Sequence, residues 1–238
     1  MPDQLQVKGF LETSFLDWDG KVVSTIFLPL CNFRCPFCHN SGLIETPENY
    51  DTVPLERIYA YLLEHRSFVD GVCVTGGEPC LHMNRGLVEF LRQLKDNGFL
   101  VKLDTNGSFP AALQRLLDEN LVDYVAMDIK GPLDERYDRL TGIKTNLDKV
   151  KQSIALLGSK KIPYEFRTTI VPTLLAEADV ADIFEQLKGT PKLILQQFVA
   201  ENCWDESLRS LKPYAKEKLE AMARQATAHI REVKIRGV

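Results

Sequence analysis

Val22-Val23-Ser24-Thr25-Ile26-Phe27-Leu28-Pro29-Leu30-Cys31-Asn32-Phe33-Arg34-Cys35-Pro36-Phe37-Cys38-His39-Asn40 joins the two features that govern this chain. Up to Leu28 it is an apolar, β-branched run stopped by Pro29, the pattern of a buried strand. The segment from Cys31 to Cys38 carries half of the chain's six cysteines, spaced by three residues and then two. Thiols so spaced can turn their sulfurs onto one soft metal centre. Three ligands fall one short of the four that a cube of iron and sulfide takes, which leaves one iron open to something else. A structural zinc closed by His39, Cys73 or Cys80 is the alternative. Such sites usually draw on two separated ligand pairs, and no second pair stands at useful spacing here.

Outward from that stretch, strand and helix alternate. Helical spacing begins at Pro54 with Leu55, Ile58, Tyr59, Leu62 and Leu63, then recurs over 84–97, 111–119, 146–157, 178–187 and 213–228. Short apolar runs at 71–75, 99–103, 122–127, 164–171 and 192–198 read as further strands, with a last one over 230–235. Residues 5–21 are mixed, with a turn at Asp17-Trp18-Asp19-Gly20. Buried strands separated by amphipathic helices predict a parallel sheet with right-handed crossovers. Six βα units are too few to close an eight-stranded barrel. The expected fold is therefore an α/β, open (βα)6 partial TIM-type barrel, one domain over 1–238 with its core at about 20–200 and a C-terminal extension over 213–236.

The chain has 238 residues, 45% of them hydrophobic, and a net charge of -4. That balance offers no bulk attraction to nucleic acid or acidic membranes. No apolar run approaches a bilayer span, and Met1-Pro2-Asp3-Gln4 has neither the basic region nor the apolar run of a leader. These features predict a cytoplasmic protein with reduced thiols.

In parallel α/β folds chemistry gathers at the carboxyl ends of strands. Four polar clusters fall there: the cysteines, Gly76-Gly77-Glu78-Pro79, Asp104-Thr105-Asn106-Gly107 and Asp128-Ile129-Lys130. Gly76 and Gly77 suit a tight turn, or a close approach of ligand to backbone, with carbonyls and Glu78 accepting from an ammonium. Asp104, Thr105 and Asp128 form an oxygen-rich set suited to a hard cation. Arg167, inside an apolar strand, is either a snorkelling edge residue or a clamp for a carboxylate or ribose.

The Cys31, Cys35, Phe37, Cys38 run resembles the signature of the radical S-adenosylmethionine (SAM) enzymes. The resemblance implies a [4Fe-4S] cluster on Cys31, Cys35 and Cys38 whose open iron chelates SAM. It implies reductive cleavage of SAM to methionine and a 5′-deoxyadenosyl radical. Gly76, Gly77 and Glu78 are similar to the family's motif for the SAM amino group, and Phe37 falls where an aromatic packs near adenine.

Asp104, Thr105 and Asp128 look like the residues that hold a monovalent cation beside SAM in glycyl-radical-enzyme activases, with Asn106, Lys130 and Arg167 as polar contacts and Lys130 facing the active site. The likeness runs from Gly9-Phe10 through Gln196-Gln197-Phe198. It is nearest to the longer activating proteins of anaerobic ribonucleoside-triphosphate reductase. That implies a glycyl radical enzyme as partner and a flavodoxin- or ferredoxin-type electron donor. Phe198 stands where pyruvate formate-lyase activases have a SAM-contacting His, and no cysteine-rich insert lies between Cys38 and Gly71. A radical SAM enzyme acting on a small molecule is the rival reading. A non-catalytic zinc or iron–sulfur module is another.

The remaining candidates have ordinary explanations. Cys73 and Cys203 read as small buried thiols, and His65 and His229 as surface residues. His39, His82 and Cys80 flank the motifs and stay open as cofactor contacts.

Overall fold

The computed structural model describes residues 5–238. Met1–Gln4, and with them the expectation that the chain has no leader, lie outside the described residues. In chain order the elements are β1 (Gly9–Ser14), β2 (Val23–Leu28), α1 (Ser41–Glu45), α2 (Leu55–Glu64), β3 (Gly71–Gly76), α3 (Val88–Asp96), β4 (Leu100–Thr105) and α4 (Pro110–Asp118). Then come β5 (Tyr124–Asp128), α5 (Tyr137–Thr141), α6 (Leu147–Ser159), β6 (Tyr164–Ile170), α7 (Glu177–Gln186), β7 (Lys192–Gln197), α8 (Lys216–Ala226) and β8 (Glu232–Arg236).

All eight strands belong to one sheet in chain order, with β1 and β8 at its open edges. The pairs β2–β3, β3–β4, β6–β7 and β7–β8 are parallel, while β1 runs antiparallel to β2. The open α/β sheet follows the sequence expectation, and its eight strands are the six of the βα units, the last strand read over 230–235 and one more. The added first strand is β1, which has no period-2 burial: Leu11 and Glu12 are both exposed and only Ser14 is buried. An edge strand with so little to bury has no reason to alternate, and its residues looked mixed for that reason.

The chain divides into two compact units. One comprises residues up to Asn32, Gly42–Thr105 and Phe109–Val125. Its helices bury apolar stripes: Ile58 and Leu62 on α2, where Leu63, expected on the same stripe, is exposed, Val88, Phe90, Leu91 and Leu94 on α3, and Leu113, Leu116 and Leu117 on α4. Each such side chain contributes about 1.5–3 kcal/mol by leaving water. The helix expected from Asn84 starts only at Val88, because Arg85 (φ -123°) and Gly86 (φ 88°) break the helical path. A side chain at Gly86 would press on the Leu5 backbone nitrogen at 2.9 Å.

The other unit comprises Phe33–Ser41, Asn106–Ser108 and Ala126–Val238. Here Asn146 caps α6, its side chain accepting from the Lys149 amide, and Val150, Ser153 and Leu157 face inward. α7 buries Val180, Ile183 and Phe184, and α8 buries Leu219, Met222 and Ala226. α5, unforeseen from sequence, is five residues long and closes on Gly142 in the left-handed region. Among the described residues no helix is long and apolar enough to cross a membrane.

Candidate active site

In the first unit, β2, β3 and β4 are parallel, so their carboxyl ends share one edge. β3 ends on Gly76 and β4 on Asp104 and Thr105, while β2 leads through Pro29 and Leu30 to Cys31. The β3 end is built against the approach to Cys31. The Gly77 amide donates to the Leu28 carbonyl and the Glu78 amide to the Leu30 carbonyl, each at 2.8 Å. A Cβ on Gly76 would meet Leu28 N and O at 2.4 Å, and one on Gly77 would meet Leu30 O at 1.8 Å. The space that both glycines leave is therefore filled by the chain's own backbone, where the sequence pattern allowed either a turn or a ligand. Leu30 itself sits at φ 64°, a strained position for a residue with a side chain.

Glu78 is fully buried. Its Oε1 accepts from the Thr105 hydroxyl at 2.8 Å and from the Cys80 amide at 3.0 Å, so two motifs predicted separately meet at one carboxylate. Burial beside Glu78 pushes the Cys80 thiol well up, which keeps it protonated. Asp104 pairs with Lys102 at 2.5 Å, and the Lys102 side chain is only 2% exposed. Sequence reading missed Lys102, because a lone lysine in an apolar strand looks like a snorkelling residue. His82 is buried too, with Nε2 2.7 Å from the Pro29 carbonyl. Burial, with Arg85 adding to it against the Pro29 carbonyl, pulls its pKa below the ordinary value.

The second unit holds Cys35 and Cys38, tied in a turn by the Cys38 amide donating to the Cys35 carbonyl at 3.0 Å. The Trp204 and Asp205 amides donate to the Cys38 and Pro36 carbonyls at 3.1 and 2.8 Å, so the loop after β7 straps the cysteine turn. His39 joins the strap through Val199 O at 2.8 Å. Burial raises the Cys38 thiol, opposed by the Asn40 backbone and the Lys130 charge.

Asp128 ends β5 and receives Lys130 Nζ at 3.0 Å and Arg167 Nε at 2.9 Å. Burial alone would lower Lys130, but Asp128 and Cys35 hold it above its ordinary value, so it is a fixed cation. Its Nζ lies 5.9 Å from the Phe37 ring centroid. Arg167 lies on β6, an interior strand of the sheet, which removes the edge-residue alternative. Asn106 accepts from the Ser108 amide and hydroxyl at 2.9 and 2.6 Å, an Asx turn. Phe198 is completely buried, and Cys203 is buried 3.3 Å from Val199 O.

All six cysteines are thiols outside any disulfide. Among the described residues no three His, Cys, Asp or Glu side chains converge on a point for a single metal ion. A cube asks for something else, three soft thiolates at three separate corners. Cys31 and Cys38 are half-buried and Cys35 is 8% exposed, a donor set whose chemistry fits an iron–sulfur group.

Comparison with known proteins agrees. The family model described as the radical SAM superfamily matches residues 25–187. A Methanocaldococcus jannaschii protein that bears the name of a glycyl-radical enzyme activating enzyme is 31% identical over 98% of this chain and 96% of its own. A pyruvate formate-lyase-activating enzyme of Staphylococcus aureus is 31% identical over 62% of this chain and 61% of its own. In fold, the chain is similar to a solved domain of a pyruvate-formate lyase-activating enzyme from Bacteroides vulgatus. That likeness has a TM-score of 0.54 at 16% identity, over 70% of this chain and 99% of that one. The chain belongs to the radical SAM superfamily and, within it, to the family of glycyl-radical-enzyme activating enzymes.

Proposed function

We propose that this chain acts as a single radical SAM domain that installs a glycyl radical on a partner enzyme, with anaerobic ribonucleoside-triphosphate reductase as that partner. The observation that carries the reading is the building of the Gly76-Gly77-Glu78 segment onto residues 28–30, directly before Cys31. It supports a common site for a thiolate-held cluster and an amino-acid headgroup.

In this reading Cys31, Cys35 and Cys38 hold the [4Fe-4S] cluster, with Phe37 near the adenine. When bound, the cluster supplies the electron that cleaves SAM reductively. The protein's share is placement and exclusion of water. Glu78, already oriented by Thr105 and Cys80, and the Gly76 and Gly77 carbonyls accept from the SAM ammonium. Arg167 and Lys130, both held by Asp128, present fixed positive charge to its carboxylate or ribose, and Asn106 adds a polar contact. The pairing of Asp104 with Lys102 lends no support to a monovalent cation at Asp104, Thr105 and Asp128. A flavodoxin- or ferredoxin-type protein in the cytoplasm is the electron donor we expect.

The partial likeness to pyruvate formate-lyase activases favours a second reading, in which the partner is of that type. Phe198, buried where those enzymes have a His, speaks against it. The test is anaerobic reconstitution with iron and sulfide, then dithionite and SAM. Formation of 5′-deoxyadenosine is expected, and a full cluster that yields none would sink the enzyme reading. Each candidate partner is then added and the glycyl doublet sought by electron paramagnetic resonance. A doublet on pyruvate formate-lyase and none on the reductase would reassign the partner.

A further inference from the structure

Three consecutive carbonyls lead into Cys31, and one short segment binds all of them. Leu28 O accepts from the Gly77 amide, Pro29 O from His82 Nε2, and Leu30 O from the Glu78 amide, at 2.8, 2.7 and 2.8 Å. Two of these bonds are backbone to backbone and follow from the close approach at the glycines. The third is the only side-chain bond of the set, and it comes from a ring that is 2% exposed.

Because Nε2 faces a carbonyl, it carries the proton. Nδ1 is then an acceptor, buried without a hydrogen-bond partner, which costs the fold some stability. Retaining an imidazole there is consistent with a use for its reach. From the short 3-10 turn after Glu78 (Pro79–His82), Nε2 grips the middle carbonyl of the triplet. The flanking residue Leu30 is held at φ 64°, and the middle bond helps to keep it there.

We infer that His82 is a positioning residue that fixes the distance between the first cluster thiolate, Cys31, and the SAM-facing carboxylate, Glu78, by clamping Pro29. The inference rests on the proposed function and deepens it. In this role His82 acts through Pro29, so its signature is in geometry-dependent quantities.

The test compares wild type with His82→Leu, which removes the donor, and His82→Gln, which can still donate to Pro29 O. Without cluster, amide hydrogen exchange over residues 77–78 should speed up at least tenfold in His82→Leu and stay near wild type in His82→Gln. With cluster, iron content should hold, while the SAM dissociation constant rises about tenfold in His82→Leu and the SAM-induced change in the cluster's resonance is blunted. His82→Gln should bind SAM within about twofold of wild type.

Loss of stability with unchanged SAM affinity and exchange would reduce His82 to a packing residue and overturn the inference. Equal damage in both variants would overturn the hydrogen-bond argument. Should His82→Leu fail to fold, the Gln variant decides alone: wild-type affinity and exchange uphold the clamp, and a folded variant with tenfold weaker SAM binding refutes it. If wild type itself fails to cleave SAM, the functional reading falls first, and the exchange result still judges the clamp.

Discussion

Replacing Gly77 with alanine tests the physical basis of the site. The added Cβ would lie 1.8 Å from the Leu30 carbonyl oxygen and 2.6 Å from its carbon. Against an unstrained separation of about 3.5 Å, 1.8 Å leaves roughly 1.7 Å to be found by moving main chain, since no flexible side chain stands there to yield.

Such a shift breaks the bonds from the Gly77 and Glu78 amides to Leu28 and Leu30. Each buried donor left without a partner costs about 1–3 kcal/mol, and overpacking adds about 1–3 kcal/mol. Because Gly77 is only half-buried, the lower part of those ranges applies, about 3–5 kcal/mol in total. A typical domain has about 5–15 kcal/mol to lose. Urea unfolding of the cluster-free protein, monitored by circular dichroism, measures it.

The control is Gly158→Ala in α6, where a Cβ meets nothing within 4 Å. Helix propensity there should add about 0.5–1 kcal/mol. If Gly77→Ala matched wild type within about 1 kcal/mol, a ΔΔG no larger than an ordinary substitution produces, the close approach of Leu30 would be wrong. The account of why glycine stands there would go with it.

Three more outcomes are expected. Lys102→Met removes one partner of a buried ion pair and should lower stability by about 3–5 kcal/mol, with most of it recovered in Lys102→Met/Asp104→Asn; additive losses in the double variant would refute the coupling. Cys35→Ala should prevent formation of a SAM-responsive cluster while Cys203→Ala leaves it intact, read by iron content and electron paramagnetic resonance; an unchanged cluster in Cys35→Ala would remove it as a ligand. The remaining outcome concerns pH. The folded-state pKa of His82 lies below the ordinary value, chiefly through burial. The unfolded chain therefore takes up this proton first as pH falls. The contribution to stability is complete above about pH 6.5 and declines as pH drops toward the folded-state value. Urea midpoints of wild type should fall more steeply than those of His82→Gln over that window, and parallel slopes would contradict the assignment.

What the sequence determined by itself is local or periodic. Short continuous apolar runs marked seven of the eight strands, and apolar spacing of three to four residues the longer helices, because burial on both faces of a parallel sheet or on one face of a helix imposes those patterns. The thiol run, the Gly-Gly-Glu turn and the two aspartate clusters were legible because strand ends in a parallel α/β sheet are where such residues collect. β1 escaped, since an exposed edge imposes no period.

Tertiary structure alone decided the partners. Nothing near Gly77 in sequence announces that Leu30 O fills its missing Cβ. Likewise His82 could be read as gripping Pro29 only after the strands lay side by side. Hydrogen bonds and steric exclusion act over a few ångströms, whereas these residues are brought that close by strand register, which local pattern does not encode.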